Sequence, residues 1–372
     1  MSSSNRDSIK TVMLARIGYE IQIMGEPKVI KKKRAILILT AVMLWGVAAP
    51  LNAQARVESG VEPPDFQRIG QTGWQFLRLP TVARNAAMAN VKSGLADNTA
   101  AAIFTNPAKL VDIENLDATF TQMNYVAGIS YITGAVAKDL GNLGVFGFQF
   151  ASLNTGDMYR TENQYSAALD ITERSDDLGT FTAGDLLVGL SYARSVTDRL
   201  AIGGNLSYIR ENLDETEVSN WTVDFGIFFR TGFRSLTLSM LARNFGPDTE
   251  FTGFDDIYGL PQTVRMPLDF RLGVSFDFLE GTTGPYELRG YLEGAHPNDG
   301  PERVNAAMEY TFLGLFSLRG GYGFNYDEQG LTLGGGLNFN MSGVIGRIDY
   351  AFLDYGRLSS VHLFTIGFGL SE

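Results

Sequence analysis

"LTLGGGLNFN", residues Leu331 to Asn340, decides the fold. Leu331, Leu333, Gly335, Leu337 and Phe339 alternate with Thr332, Gly334, Gly336, Asn338 and Asn340. A period of two puts one set on each face of a strand, one apolar and one small or polar. The same reading holds for Leu268 to Phe278, where the second face carries Asp269, Arg271 and Asp277, and for Trp221 to Phe229, where it carries Asp224. In Val344 to Phe352 the second face carries Arg347 and Asp349.

Two architectures use this pattern. A soluble sandwich turns its apolar face inward, whereas a membrane barrel turns it out to lipid. The segments run to about ten residues, the length a tilted membrane strand needs, whereas an ordinary soluble strand is nearer five or six. Glycines recur on the polar face, as a crowded, curved lumen wall requires. The expectation is an all-β chain, a transmembrane antiparallel barrel of about 14 strands, with short turns at one end and longer connections at the other. The segments lie near 117–126, 129–138, 143–153, 185–195, 199–210, 220–230, 235–244, 266–278, 286–294, 302–312, 315–324, 330–340, 344–353 and 361–370. Asn154–Gly184, Glu211–Ser219 and Phe245–Arg265 are among the expected outer loops, with a very short first hairpin at Ala127-Gly128.

The chain ahead of the strands reads differently. Lys31-Lys32-Lys33-Arg34 is a basic stretch, Ala35 to Ala49 is apolar, and Ala53-Gln54-Ala55 is a small-x-small cleavage site. Fifteen apolar residues fall short of the roughly twenty that a spanning helix takes, so residues 1–55 are expected to be an N-terminal extension and secretory signal. Without them 22 basic and 38 acidic residues remain, which argues against nucleic-acid binding. Residues 56–116 form the lead-in and hatch segment, and 117–372 form the barrel. Thr81 to Leu110 is rich in Ala and Asn, suited to short helices and turns. Irregular backbone cannot face lipid, so this stretch belongs inside the barrel or below it. Asn106, Pro107 and Ala108 mark a fixed bend in that hatch or plug, because proline lacks an N–H and restricts the residue before it.

Charged side chains at strand centres are the second candidate set. Asp224, Asp269, Arg271, Arg319, Arg347 and Asp349 all fall on the non-apolar face. Facing lipid, an Arg at the midplane would cost roughly 2–4 kcal/mol, so the six are expected to line the lumen.

Several stretches together resemble the PorV/PorQ family of outer-membrane barrels, which is related to FadL-type transporters. They are Trp74 to Leu79, Ala83 to Ala89, Ala96-Asp97-Asn98 and Asn106 to Leu110 near the start. Phe181 to Leu186, Leu190 to Arg199, Asn244 to Pro247, Asp349 to Leu358 and His362 to Phe364 continue it. The family's usual Trp-Asn-Pro-Ala-Gly is here Thr105 to Lys109. The resemblance implies a fourteen-stranded barrel with an N-terminal hatch. It also implies a role in type IX secretion, binding or shuttling exported protein cargo. On that reading Phe251, Phe254, Ile257 and Tyr258 are the apolar anchors of a partner-contact loop. The alternative is FadL-like transport of hydrophobic small molecules through a moving hatch.

Catalytic chemistry is not expected. The two histidines, His296 and His362, stand apart with no partner at metal-ligand spacing, and there is no cysteine. Gly334-Gly335-Gly336 sits inside a strand with no helix following, so it cradles no phosphate. No metal or cofactor is implied. The expected partners are outer-membrane lipid and exported proteins or secretion components, and the expected location is the bacterial outer membrane.

Overall fold

The computed structural model describes residues 70–95, 98–166, 171–175, 178–214, 216–250, 263–280 and 285–370. The signal reading of 1–55 and the anchors Phe251, Phe254, Ile257 and Tyr258 lie outside the described residues.

Fourteen antiparallel strands close into one barrel. They are β1 (Leu116–Asn124), β2 (Ser130–Asp139), β3 (Val145–Asn154), β4 (Ala183–Ser195), β5 (Leu200–Leu213), β6 (Thr216–Arg230) and β7 (Thr237–Phe245). The circuit continues through β8 (Asp269–Asp277), β9 (Tyr286–Pro297), β10 (Arg303–Phe312), β11 (Phe316–Phe324), β12 (Leu331–Met341), β13 (Val344–Asp354) and β14 (Ser360–Leu370). Each strand pairs with its neighbour in sequence, and β14 closes on β1 with Leu370 opposite Leu116 and His362 opposite Asn124. Closure removes every free edge, which a sheet in hydrocarbon requires.

The pleat sorts the side chains as the alternation demands. Leu331, Leu333, Leu337 and Phe339 are exposed on the outer surface, while Thr332 between them is fully buried. Trp221, Phe225 and Phe229 likewise face outward and Thr222, Asp224 and Phe228 inward. An apolar exterior of this extent is a lipid-facing surface. The core lies inside the wall. Ala100, Ala102, Ile103, Phe104 and Leu110 of the N-terminal segment pack on inward-facing Ala135, Ala137, Val145 and Ala193. The wall keeps small side chains where the segment needs the room.

One boundary differs from expectation. Glu211–Ser219 is not a loop: β5 and β6 run on until Leu213 pairs with Thr216, and Asp214 turns the chain with φ 55°. Asp tolerates that left-handed conformation, which a tight hairpin requires. Val126–Gly128, by contrast, is a single short turn, with Ala127 at φ 57°.

The N-terminal segment has little regular structure of its own. It contains one α-helical turn, Ala83–Ala86, and three 3-10 turns, Gln75–Arg78, Ala100–Phe104 and Pro107–Asp112. Turns this short are not self-supporting, so the wall must hold them.

Candidate functional site

The segment is pressed against the wall at points where the wall has no side chain. Gly203 of β5 and Gly226 of β6 lie opposite one another. A Cβ on Gly203 would stand 2.5 Å from the backbone of Pro107 and Ala108, and one on Gly226 would stand 2.0 Å from Asn106 Oδ1. The bend Asn106-Pro107-Ala108 therefore docks on a bare patch two glycines wide. Asn106 is fully buried there. Its Oδ1 accepts from the Ala108 amide at 3.1 Å, and its Nδ2 donates to Ser93 O at 2.9 Å and Ile227 O at 3.1 Å. One side chain thus caps the next turn and ties the bend to both the segment and the wall. On the far wall Gly321 plays the same part, with a Cβ there falling 2.5 Å from Ala89 N.

Polar wall residues take up the backbone groups that this irregular chain leaves open. Glu293 accepts from Lys92 N, Ser93 N and Ser93 Oγ at 2.9, 2.6 and 2.6 Å. Asp117 accepts from Ala100 N at 2.7 Å and Thr365 from Ala83 N at 2.8 Å. Thr332 accepts from Ala89 N at 2.8 Å, and Asn205 donates to Ile103 O at 3.0 Å.

The six strand-centre charges all sit in buried or part-buried networks. Arg271 joins Asp269 and Glu293, each at 2.7 Å, and donates to Asn90 O at 3.1 Å. Arg319 bonds Glu309 at 2.7 Å and pairs with Asp349. Arg84 of the segment reaches the same Glu309 at 2.7 Å. Arg347 pairs with Asp117, and Asp224 accepts from Asn205 at 3.1 Å and Asn244 N at 2.8 Å. The mates Asp117, Glu293 and Glu309 were missing from the sequence reading. Each occupies an inward position in its strand, the signal by which alternation could have found them.

These contacts leave a chamber at each end of the lumen. One, of about 550 Å³, lies toward the short turns and is lined by Arg84, Lys109, Phe228, Glu309, Arg319 and Asp349 among others. The other, of about 770 Å³, lies toward the long connections and is lined by Trp74, Phe76, Leu79, Tyr125, Leu153 and Tyr355 among others. Residues of the N-terminal segment line both, so the segment is the partition between them. Over the larger chamber Arg78, Gln75 and Thr72 converge on Asp299 in the β9–β10 connection, and Gly73 N donates to Arg265 O at 3.0 Å. The Tyr125 and Tyr355 rings meet edge to face at 5.9 Å, and burial raises both phenol pKa values.

Of the histidines, His362 Nδ1 meets Tyr350 Oη at 2.8 Å and His296 lies in the open beside Glu302. Among the described residues no group of three His, Cys, Asp or Glu side chains is placed to hold a metal.

A closed fourteen-strand antiparallel barrel with an apolar exterior is an outer-membrane barrel, and its outer wall contacts lipid. No family model and no curated protein matches the chain by sequence. Solved structures do match in fold. The Pseudomonas putida toluene transporter TodX aligns with a TM-score of 0.52 at 12% identity, covering 78% of this chain and 97% of that one. The monoaromatic hydrocarbon channel CymD aligns with a TM-score of 0.52 at 11% identity, with the same coverage of 78% and 97%. At these identities the likeness is one of fold.

That finding corrects the type IX reading. The structures that share this fold are a toluene transporter and a hydrocarbon channel, not cargo shuttles. Shuttling of exported protein is therefore set aside.

Proposed function

We propose that this barrel is a FadL-like transporter that passes hydrophobic small molecules across the outer membrane, with the N-terminal segment as its hatch. The observation that carries the reading is the seating of that segment. It lies between two chambers, held by hydrogen bonds and ion pairs and by close contact with bare glycines, all of which can be broken and remade. The larger chamber supports it further, because its rings and aliphatic side chains offer apolar contact to a solute. The hatch bend at Asn106, Pro107 and Ala108 acts as a stop against the wall, and the lumen charges Asp224, Asp269, Arg271, Arg319, Arg347 and Asp349 hold the closed arrangement.

The test is uptake of toluene by cells with a lipopolysaccharide outer leaflet that lack their own hydrophobic-solute barrels. The full chain should speed entry over cells without it, and Glu293→Gln, which weakens the hatch, should speed it further. Uptake no faster than in cells without the protein, for both forms, would defeat the proposal.

A further inference from the structure

The outer chamber contains a charge arrangement that neutral-hydrocarbon transport does not require. Asp185 of β4 and Glu211 of β5 lie directly opposite each other in the register, and both line the chamber. Like charges placed opposite on neighbouring strands destabilise a sheet. Neither carboxylate forms an ion pair with any described residue, and the backbone N–H of Trp74 meets Glu211. Half-burying two facing carboxylates is costly unless a proton or a larger cation comes between them.

The surroundings specify what that is. Leu153 of β3 lies opposite Asp185 on its other side, and Ile129 and Tyr125 follow at the outer ends of β1 and β2. With Trp74 and Tyr355 they make one apolar wall running up to the acid pair. An oxygen-ligated metal takes six to eight ligands, and no such group is formed here. An ammonium needs less: two carboxylates for its N–H donors and ring faces nearby. The fully buried Trp74 lines the same chamber with its indole Nε1–H unpartnered, a donor in reserve for an oxygen on the ligand. Among the described residues five carboxylates and three guanidinium groups line the chamber, so its balance favours a cation. Arg303, which forms no ion pair with a described residue, lies over the Tyr326 ring at 4.6 Å on β10, well round the barrel from the acid pair.

We infer that the outer chamber takes an apolar amine, with its ammonium between Asp185 and Glu211, its hydrocarbon body on Leu153, Tyr125 and Tyr355, and an oxygen acceptor within reach of the indole. This rests on the transport reading and narrows its substrate class from hydrophobic solutes to those bearing a positive charge.

Titration calorimetry of the full chain in detergent, with 2-amino-1-phenylethanol and with 3-phenylpropionate as its anionic counterpart, tests it. The amine should bind about tenfold or more tightly than the carboxylate. The double variant Asp185→Asn/Glu211→Gln should lose that margin. The variant removes repulsion and leaves the wall's shape, so it should fold, which heat-modifiable gel migration checks. Equal binding of the two probes, an unchanged amine affinity in the variant, or binding of neither probe overturns the inference. Toluene uptake by the wild type separates the two proposals: uptake above background together with equal binding of the two probes sinks the cation and leaves transport standing.

Discussion

Glu293 Oε2 accepts two hydrogen bonds from one residue, Ser93, through its backbone amide and its hydroxyl, each at 2.6 Å. A wall carboxylate with 0% exposure thus grips the partition by its main chain. Because Arg271 holds the other oxygen at 2.7 Å, the grip is fixed in direction as well as charge. Glu293→Gln removes the charge and leaves Arg271 short of a partner. Breaking a buried pair in this way costs about 3–5 kcal/mol. The measurable outcome is tryptic cleavage after Arg84 or Lys92, rapid in the variant and slow in the wild type.

The bare patch under Asn106-Pro107-Ala108 makes a second prediction. Gly203→Ala places a methyl 2.5 Å from main-chain atoms, which cannot swing aside as a side chain would. Overpacking of this kind costs about 1–3 kcal/mol, and the hatch should lift from the wall with the same gain in proteolysis. Gly294→Ala is the matched control, since nothing lies within 4 Å of a Cβ there, and it should behave as wild type.

Arg319 bridges Glu309 and Asp349, both buried. Arg319→Met should lower the urea midpoint of unfolding by an amount equivalent to about 3–5 kcal/mol, because Asp349 is left charged and alone. Adding Asp349→Asn should recover most of that loss. Failure of the second change to recover stability would show that the arginine acts by packing instead.

At the outer rim Arg357 holds Glu328 below the ordinary glutamate range, by a side-chain hydrogen bond first and a backbone one second. The folded pKa is depressed, so the clasp between the β11–β12 and β13–β14 connections is present above the unfolded value. It is lost as pH falls through the folded one, which lies below the ordinary value of about 4.3. The protection factor of the Arg357 amide, its exchange rate relative to the intrinsic rate at the same pH, should fall below that point and stay level with pH in Glu328→Gln.

Alternation made the wall legible. In Leu331 to Asn340 and Trp221 to Phe229 each residue's side of the pleat follows from its parity alone, so the count of fourteen could be reached before any coordinates. What parity cannot give is the partner of an inward residue. Ser93 and Glu293 stand 200 positions apart, and Arg347 and Asp117 stand 230 apart. The glycines of the inward face illustrate the same limit. They read as curvature, whereas Gly203, Gly226 and Gly321 admit the backbone of the N-terminal segment. Short motifs spread along a barrel also carry little about cargo. They led to type IX secretion, which the structures that share this fold do not bear out.

In the transport proposed, solute passes only if the segment moves, and the absence of native cysteine allows a direct test. A Cβ on Gly273 would lie 2.3 Å from Ser93 Oγ and 2.8 Å from Gly94 N, so Ser93→Cys with Gly273→Cys brings the two sulfurs within disulfide reach once the segment shifts off the strand, and the reduced pair is the reference for the locked one. Toluene uptake should fall to the background of cells without the protein when the pair is oxidised and return on reduction. Uptake at the same rate in the locked and reduced forms would contradict the account.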